Sequence, residues 1–393
     1  MKLNIILIAL VFLLSDNSVE EQIKESGRSE KELMEFSLIL ERLSDDLDYC
    51  VRKGVACNPN SSVEILEKLS NDDYEDVRAY VALNPNCPAE LLRKLSEDED
   101  INVRSYVGIN ANSPIELLKK LSNDASPNVR EFVAYNKSCP SELITKLVLD
   151  SVDYVRKNAI QNANCPIKLL EKFSQDKNDE IRRCVANNLS SPVNLLEKFA
   201  QDEDEITCYN AISNPAFPVE LLEKLSKDKN EIIRGAVACN PNCSVSILRK
   251  LSKDKQYIVR SFVAGNDSCP LDILKKLSKD EDCVVRRFVA GNPNCPISTL
   301  EKLVEDSEPD VRDNAINNPS CSSKLLEKLS EKNEEIEDVY IRSFVASNIN
   351  CSIEILNKLS KDTALVRREV ALNDLRQVKK MRIPLLIKKV SNC

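Results

Sequence analysis

A chain of 393 residues with 42% hydrophobic residues can bury a core, but at 5% aromatics and no Trp that core must be largely Leu, Ile, Val and Ala. Its 55 basic and 63 acidic residues leave a net charge of −8, which excludes bulk attraction to nucleic acid or anionic lipid and leaves room only for a local basic stripe. His is absent, which removes the side chain most used for acid–base work near neutral pH and the commonest metal ligand.

Residues 1–18 open with Lys2 and a largely apolar run, Leu3–Leu14, followed by the polar stretch Ser15–Ser18. The run is shorter than the roughly 20 apolar residues of a membrane span and matches a secretory signal. Export or anchoring through residues 3–14 is therefore the expectation, with a cytoplasmic chain as the alternative. Residues 19–37 are charged and aperiodic and read as a linker or N-terminal cap.

Between residues 38 and 373 a unit of 26 residues recurs. Its anchors are Val51, Val77, Val103, Val129, Val155, Ile181, Thr207, Ile233, Val259, Val285, Val311, Ile341 and Val366, with four extra residues before Ile341 and one fewer before Val366. A period of this length means a solenoid, in which no unit buries its apolar face alone. Val77, Val81 and Ala82 predict a short helix, Asn84-Pro85-Asn86 breaks it, and Pro88 opens a second helix with Leu91, Leu92 and Leu95 inward. The expected fold is all-α, a solenoid of about thirteen helical repeats. Residues 374–393 hold Arg376, Lys379, Lys380, Arg382, Lys388 and Lys389 and read as a basic C-terminal cap, or else a docking tail.

Several positions recur in every copy or nearly so. An Asn follows each first helix, and its carboxamide suits a structural ladder through Asn84, Asn110, Asn136 and Asn162. It also tolerates left-handed geometry. Arg follows most anchors, with Asp six residues earlier, as in Asp72–Arg78 and Asp98–Arg104, which predicts a ladder of ion pairs within or between units. Cys208 interrupts it, leaving Asp202 without its Arg. A Lys seventeen residues after the anchor, as at Lys68, Lys94, Lys120 and Lys146, reads as a solvated face.

Eight of the fifteen cysteines, including Cys87, Cys139 and Cys295, share one slot; the spacing of repeats keeps them apart, so they read as small buried residues, with no disulfide framework and no metal site. Tyr80, Tyr106, Phe132, Phe262, Phe288 and Phe344 share another slot. They read as packing residues and, alternatively, as a candidate interaction surface.

The phrase VRxxVAxNPNxPxELLxKLSxD resembles the leucine-rich repeat variant family, and its Val-Arg anchor is similar to HEAT-type repeats. The resemblance implies a right-handed superhelix pairing an α-helix with a shorter 3₁₀-like one. The iron–sulfur module of some relatives is not carried over, because no cysteine precedes Cys50. No residue matches a catalytic motif of HEAT-like enzymes. The expected function is a monomeric, non-catalytic scaffold without cofactor or catalytic residues, binding an unidentified protein through its concave face. A polyanion binder using the Arg and Lys rows is the alternative, with nucleic acid disfavoured by the net charge; a HEAT-like enzyme is weaker still.

Overall fold

The computed structural model describes residues 30–331 and 336–373, and the helices there run from Glu30–Leu43 to Ala364–Leu372 with no strand among them. A repeat pairs a nine-residue helix with a seven-residue one, as in Glu75–Leu83 and Ala89–Leu95. Both are α-helices, so the 3₁₀-like geometry implied by the resemblance is not adopted.

Local chemistry sets these boundaries. Asp100 starts the helix Ile101–Ile109 by accepting the N–H groups of Asn102 and Val103. Asn84 ends the preceding first helix in an extended conformation (φ −62°, ψ 130°), not the left-handed one its residue type allows. Its Oδ1 instead accepts the Asn86 N–H at 2.8 Å and shapes the turn. Pro88, with φ fixed at −65°, leads into the second helix; at the same slot Ser62 and Ser244 cap with their hydroxyls. Ser96 closes that helix, its hydroxyl donating to the Arg93 carbonyl at 2.8 Å.

The core sits between the two helix rows. Val77, Val81 and Ala82 meet Leu92 and Leu95, all buried. First helices pack directly on the first helices of neighbouring repeats, whereas second helices pack mainly against first helices. The repeats are therefore closest together on the first-helix side.

Proximity divides the chain into two units, residues 1–156 with 323–393, and residues 157–322. The second is an uninterrupted stack of repeats. In the first, the helix Tyr49–Cys57 packs on Ala364–Leu372, so that the first repeat follows the last as though it were next in sequence. Arg367 forks onto Asp46 (3.0 and 3.4 Å), Asn58 Nδ2 donates to the Ala371 carbonyl (2.6 Å) and Arg42 donates to Ser360 Oγ (2.6 Å). Phe36 and Leu40 of the helix Glu30–Leu43 are fully buried.

The apolar leader and the basic tail at 374–393 lie outside the described residues. Export or membrane anchoring through residues 3–14 is corrected here: no helix among the described residues is long and apolar enough to cross a membrane. The twelve-residue run would itself span only about 18 Å as a helix, against roughly 30 Å of hydrocarbon.

Candidate interaction surface

The recurring polar residues stitch neighbouring repeats together. Asn84 Nδ2 donates to the carbonyls of Ala56 and Asn58, both at 2.8 Å, and Asn110 to those of Ala82 (2.7 Å) and Asn84 (2.9 Å). Asn136 repeats this on Gly108 and Asn110. The carbonyl of Asn162 accepts from Asn188 at 2.8 Å, which carries the ladder through the second unit. These carboxamides are buried, where an unmade hydrogen bond costs most.

The ion pairs run in a direction the spacing does not reveal. Arg78 forks onto Asp98 of the next repeat at 2.8 and 3.1 Å, and its Nη1 donates to the backbone carbonyls of Asp72 and Asp73. Arg104 does the same with Asp124 and with the carbonyls of Asp98 and Glu99. The Asp six residues back thus supplies its carbonyl, while its carboxylate serves the previous repeat's Arg: Asp72 takes Arg52 at 2.7 and 3.0 Å. Burial pushes the Asp98 carboxyl up, but Arg78 and the Asp100 N–H together hold it below the usual range. At Asp150 the Arg130 hydrogen bond is the largest influence and lowers it.

Cys208 has a different consequence from the one its position suggests. Asp202 keeps an Arg, forking with Arg182 at 2.9 Å twice. The carboxylate that would have faced an Arg at 208 is that of Asp228, and the thiol of Cys208 donates to the Asp202 carbonyl at 3.1 Å.

The slot cysteines Cys87, Cys139 and Cys295 are buried and outside any disulfide, and burial pushes each thiol up to about 12. Cys283 is free and exposed. Brief alkylation near pH 8 is expected to modify Cys283 and spare those three until denaturant is added, as mapped by peptide mass. Native-state labelling of Cys139 as fast as Cys283 would remove the packing role.

On the first-helix side, Tyr80, Tyr106 and Phe262 are buried, and Phe132, Phe288 and Phe344 half-buried. The rings touch across repeats, Tyr80–Tyr106 at 5.5 Å and Tyr106–Phe132 at 5.8 Å in the first unit, Phe262–Phe288 at 6.3 Å in the second. Space for them comes from small neighbours: a Cβ on Gly265 would lie 2.7 Å from the Phe288 ring.

Beside this row, the residue two after an anchor reaches the one just before the next anchor. Lys53 pairs with Asp76 at 3.0 Å, Lys157 with Glu180, and Arg287 with Asp310 at 3.5 Å; Arg183 turns instead to Asp179 and Asp204. In the second unit, between Arg183 and Arg287, the cation slot holds Tyr209, Gly235 and Ser261, and the acid slot holds Ile206, Ile232, Ile258 and Val284. Ile206 is 39% exposed and the other three are half-buried. A short apolar row is thus bounded by ion pairs at both ends. Its sequence signal is an aliphatic residue directly before the anchor in four consecutive repeats, where other repeats have polar residues such as Asp76, Asn102 and Glu180 or, singly, Cys50, Tyr154, Tyr340 and Leu365.

Residues 75–100 match the family model described as leucine rich repeat variant. The unit at residues 75–100 is similar to a leucine-rich repeat variant unit. A solved leucine-rich repeat variant with a novel repetitive structural motif is 24% identical, over 56% of this chain and 87% of that one, with a TM-score of 0.33. The chain is also similar to the Escherichia coli protein YibA (18% identity, 65% and 98% covered, TM-score 0.30) and to Kap121p bound to Pho4p (13% identity, 96% and 57% covered, TM-score 0.34). No curated protein matches the sequence. The all-α solenoid is read from the helices and ladders of the chain itself. Among the described residues no group of three His, Cys, Asp or Glu side chains is placed to hold a metal.

Proposed function

We propose that the chain is a non-catalytic scaffold that binds a protein partner on the first-helix side of its repeats. Repeats packed most closely on that side make it the concave one, and a concave solenoid face presents many slots to one ligand. The observation that carries the proposal is the row Ile206, Ile232, Ile258 and Val284, an apolar strip lying between the charge pairs Lys157–Glu180 and Arg287–Asp310 of the same face. Apolar side chains rimmed by polar ones are the usual anatomy of a protein interface. The half-buried Phe288 adds an aromatic edge to the same side within the second unit. The Arg row does not favour a polyanion, because the guanidinium donors of Arg78 and Arg104 are already shared between a carboxylate and backbone carbonyls.

Affinity capture from cells that express the chain tests this. Ile232→Asp with Ile258→Asp should abolish capture of a partner that is retained by Val219→Asp with Val245→Asp on the exposed second-helix side, with circular dichroism equal in all three proteins. Equal capture by both double variants would sink the proposal.

A further inference from the structure

In four repeats of the first unit the lysine seventeen residues after the anchor reaches back to the turn of the previous repeat. Lys68 Nζ donates to Ser44 Oγ (3.0 Å) and Asp45 (2.6 Å), Lys94 to Ser70 Oγ (3.0 Å) and Asn71 (2.6 Å), Lys146 to Ser122 Oγ (3.2 Å) and Asn123 (2.5 Å), and Lys120 to Ser96 and Glu97. The residue after the serine is the acceptor in each case. In three consecutive turns of the second unit that residue is itself a lysine: Lys227, Lys253 and Lys279.

Each of these faces a lysine it cannot pair with. Lys250 turns aside to Glu223 at 2.5 Å and shares that carboxylate with Lys227 at 3.3 Å. The ammonium groups of Lys253, Lys276, Lys279 and Lys302 have no hydrogen-bond or ion-pair partner among the described residues, and all four lysines are exposed. Between the first two turns lies a surface cavity of about 440 Å³, lined by Ser226, Lys227, Lys250, Lys253 and Lys255 with the Arg234–Asp254 pair in its wall. A chain with a net charge of −8 therefore carries along one edge of its second unit a column of lysines of which only Lys227 has a counter-ion, and that one is shared with Lys250.

The geometry points to a docking site for an acidic, extended segment of the protein partner, lying along the column Lys227, Lys253 and Lys279 with carboxylates seated between the facing lysines. Stacked helices are spaced by about 10 Å, and a segment extended as polyproline II advances about 3.1 Å per residue with three residues per turn, so an acidic side chain at every third position stays on one face and matches the column. Carboxylates supply the acceptors that Asp45 and Glu97 supply elsewhere in the chain. The site lies at the turn edge, apart from the apolar row, and deepens the protein-binding role on which it rests.

The probe is a fluorescent peptide of about twelve residues with Glu at every third position, otherwise Ala and Ser, titrated against the full chain. Binding at low ionic strength that weakens with salt is expected, with Lys227→Glu, Lys253→Glu and Lys279→Glu combined lowering affinity by about tenfold or more. These side chains are exposed, and unchanged circular dichroism confirms that the triple variant folds. A peptide with the same Glu content clustered at one end is expected to bind more weakly. Absence of peptide binding, equal binding by the triple variant, or equally tight binding of a single-stranded oligonucleotide of the same charge would each overturn the assignment. Partner capture that survives the lysine variant but is lost with Ile232→Asp and Ile258→Asp would overturn this site alone and leave the proposed function standing.

Discussion

Asn240→Leu is expected to destabilise the protein by about 2–5 kcal/mol, although it keeps the branched side-chain skeleton, because it removes buried hydrogen bonds and adds some bulk. Asn240 is fully buried, and its Nδ2 donates to the carbonyls of Ile212 (2.7 Å) and Asn214 (3.0 Å) while its Oδ1 accepts the Asn242 N–H (2.8 Å). The Asn214 carbonyl retains the Phe217 N–H, so the groups left bare are the Ile212 carbonyl and the Asn242 N–H. The buried Ile212 carbonyl left without its donor costs about 1–3 kcal/mol, the Asn242 N–H, on an exposed residue, adds less, and leucine offers nothing to either. Urea unfolding followed by circular dichroism measures the loss. A change below about 1 kcal/mol would show that the ladder is decorative and that apolar packing alone holds the repeats.

Acid should unfold the chain steeply. The carboxyls of Asp72, Asp98, Asp124, Asp254, Asp280 and Asp362 are pushed up by burial, yet hydrogen bonds from their Arg partners and from backbone N–H groups bring each below its ordinary value. At Asp150 and Asp306 the Arg hydrogen bond leads and the direction is the same. A carboxyl lowered in the folded state binds its proton more readily when unfolded. Its contribution is complete above the unfolded value near 3.9 and is lost as pH falls through the lower, folded one. Because many rungs respond in the same window, the urea midpoint is expected to stay level from about pH 7 to 5 and to drop by about half or more by pH 3. Asp254→Asn with Asp280→Asn should lower the midpoint at pH 7 and flatten the acid limb. An unchanged midpoint between pH 6 and 3 would contradict the rungs' role.

Repetition made the architecture legible. Each helix, turn and ladder residue is stated about a dozen times in the sequence, and the phrase at residues 75–100 is enough for the family model to match. What stayed hidden were relations between repeats. An Asp six residues before one Arg is also twenty residues after another, and only the stacked backbone decides that Asp98 receives Arg78 and not Arg104. For that reason Cys208 deprives Asp228, not Asp202. The lysine column was hidden for a similar cause: Lys253 is an ordinary surface residue until its slot is known to be the acceptor for the next repeat's Lys276. The row from Ile206 to Val284 was readable as an apolar residue before the anchor, but the periodic pattern drew attention to what stays constant.

In a stack of repeats whose interactions are nearest-neighbour, the terminal copies ordinarily have one partner fewer and fray first. Here the first and last copies serve as each other's missing neighbour, with Asn58 on Ala371 and Arg367 on Asp46 in the same geometry used inside the array. Residues 51–57 and 364–372 thereby lose the status of ends, and local opening at either of them costs as many contacts as opening in the middle. A sequence change in the first repeat acts directly on the last, more than 300 residues away, because the two share a single interface.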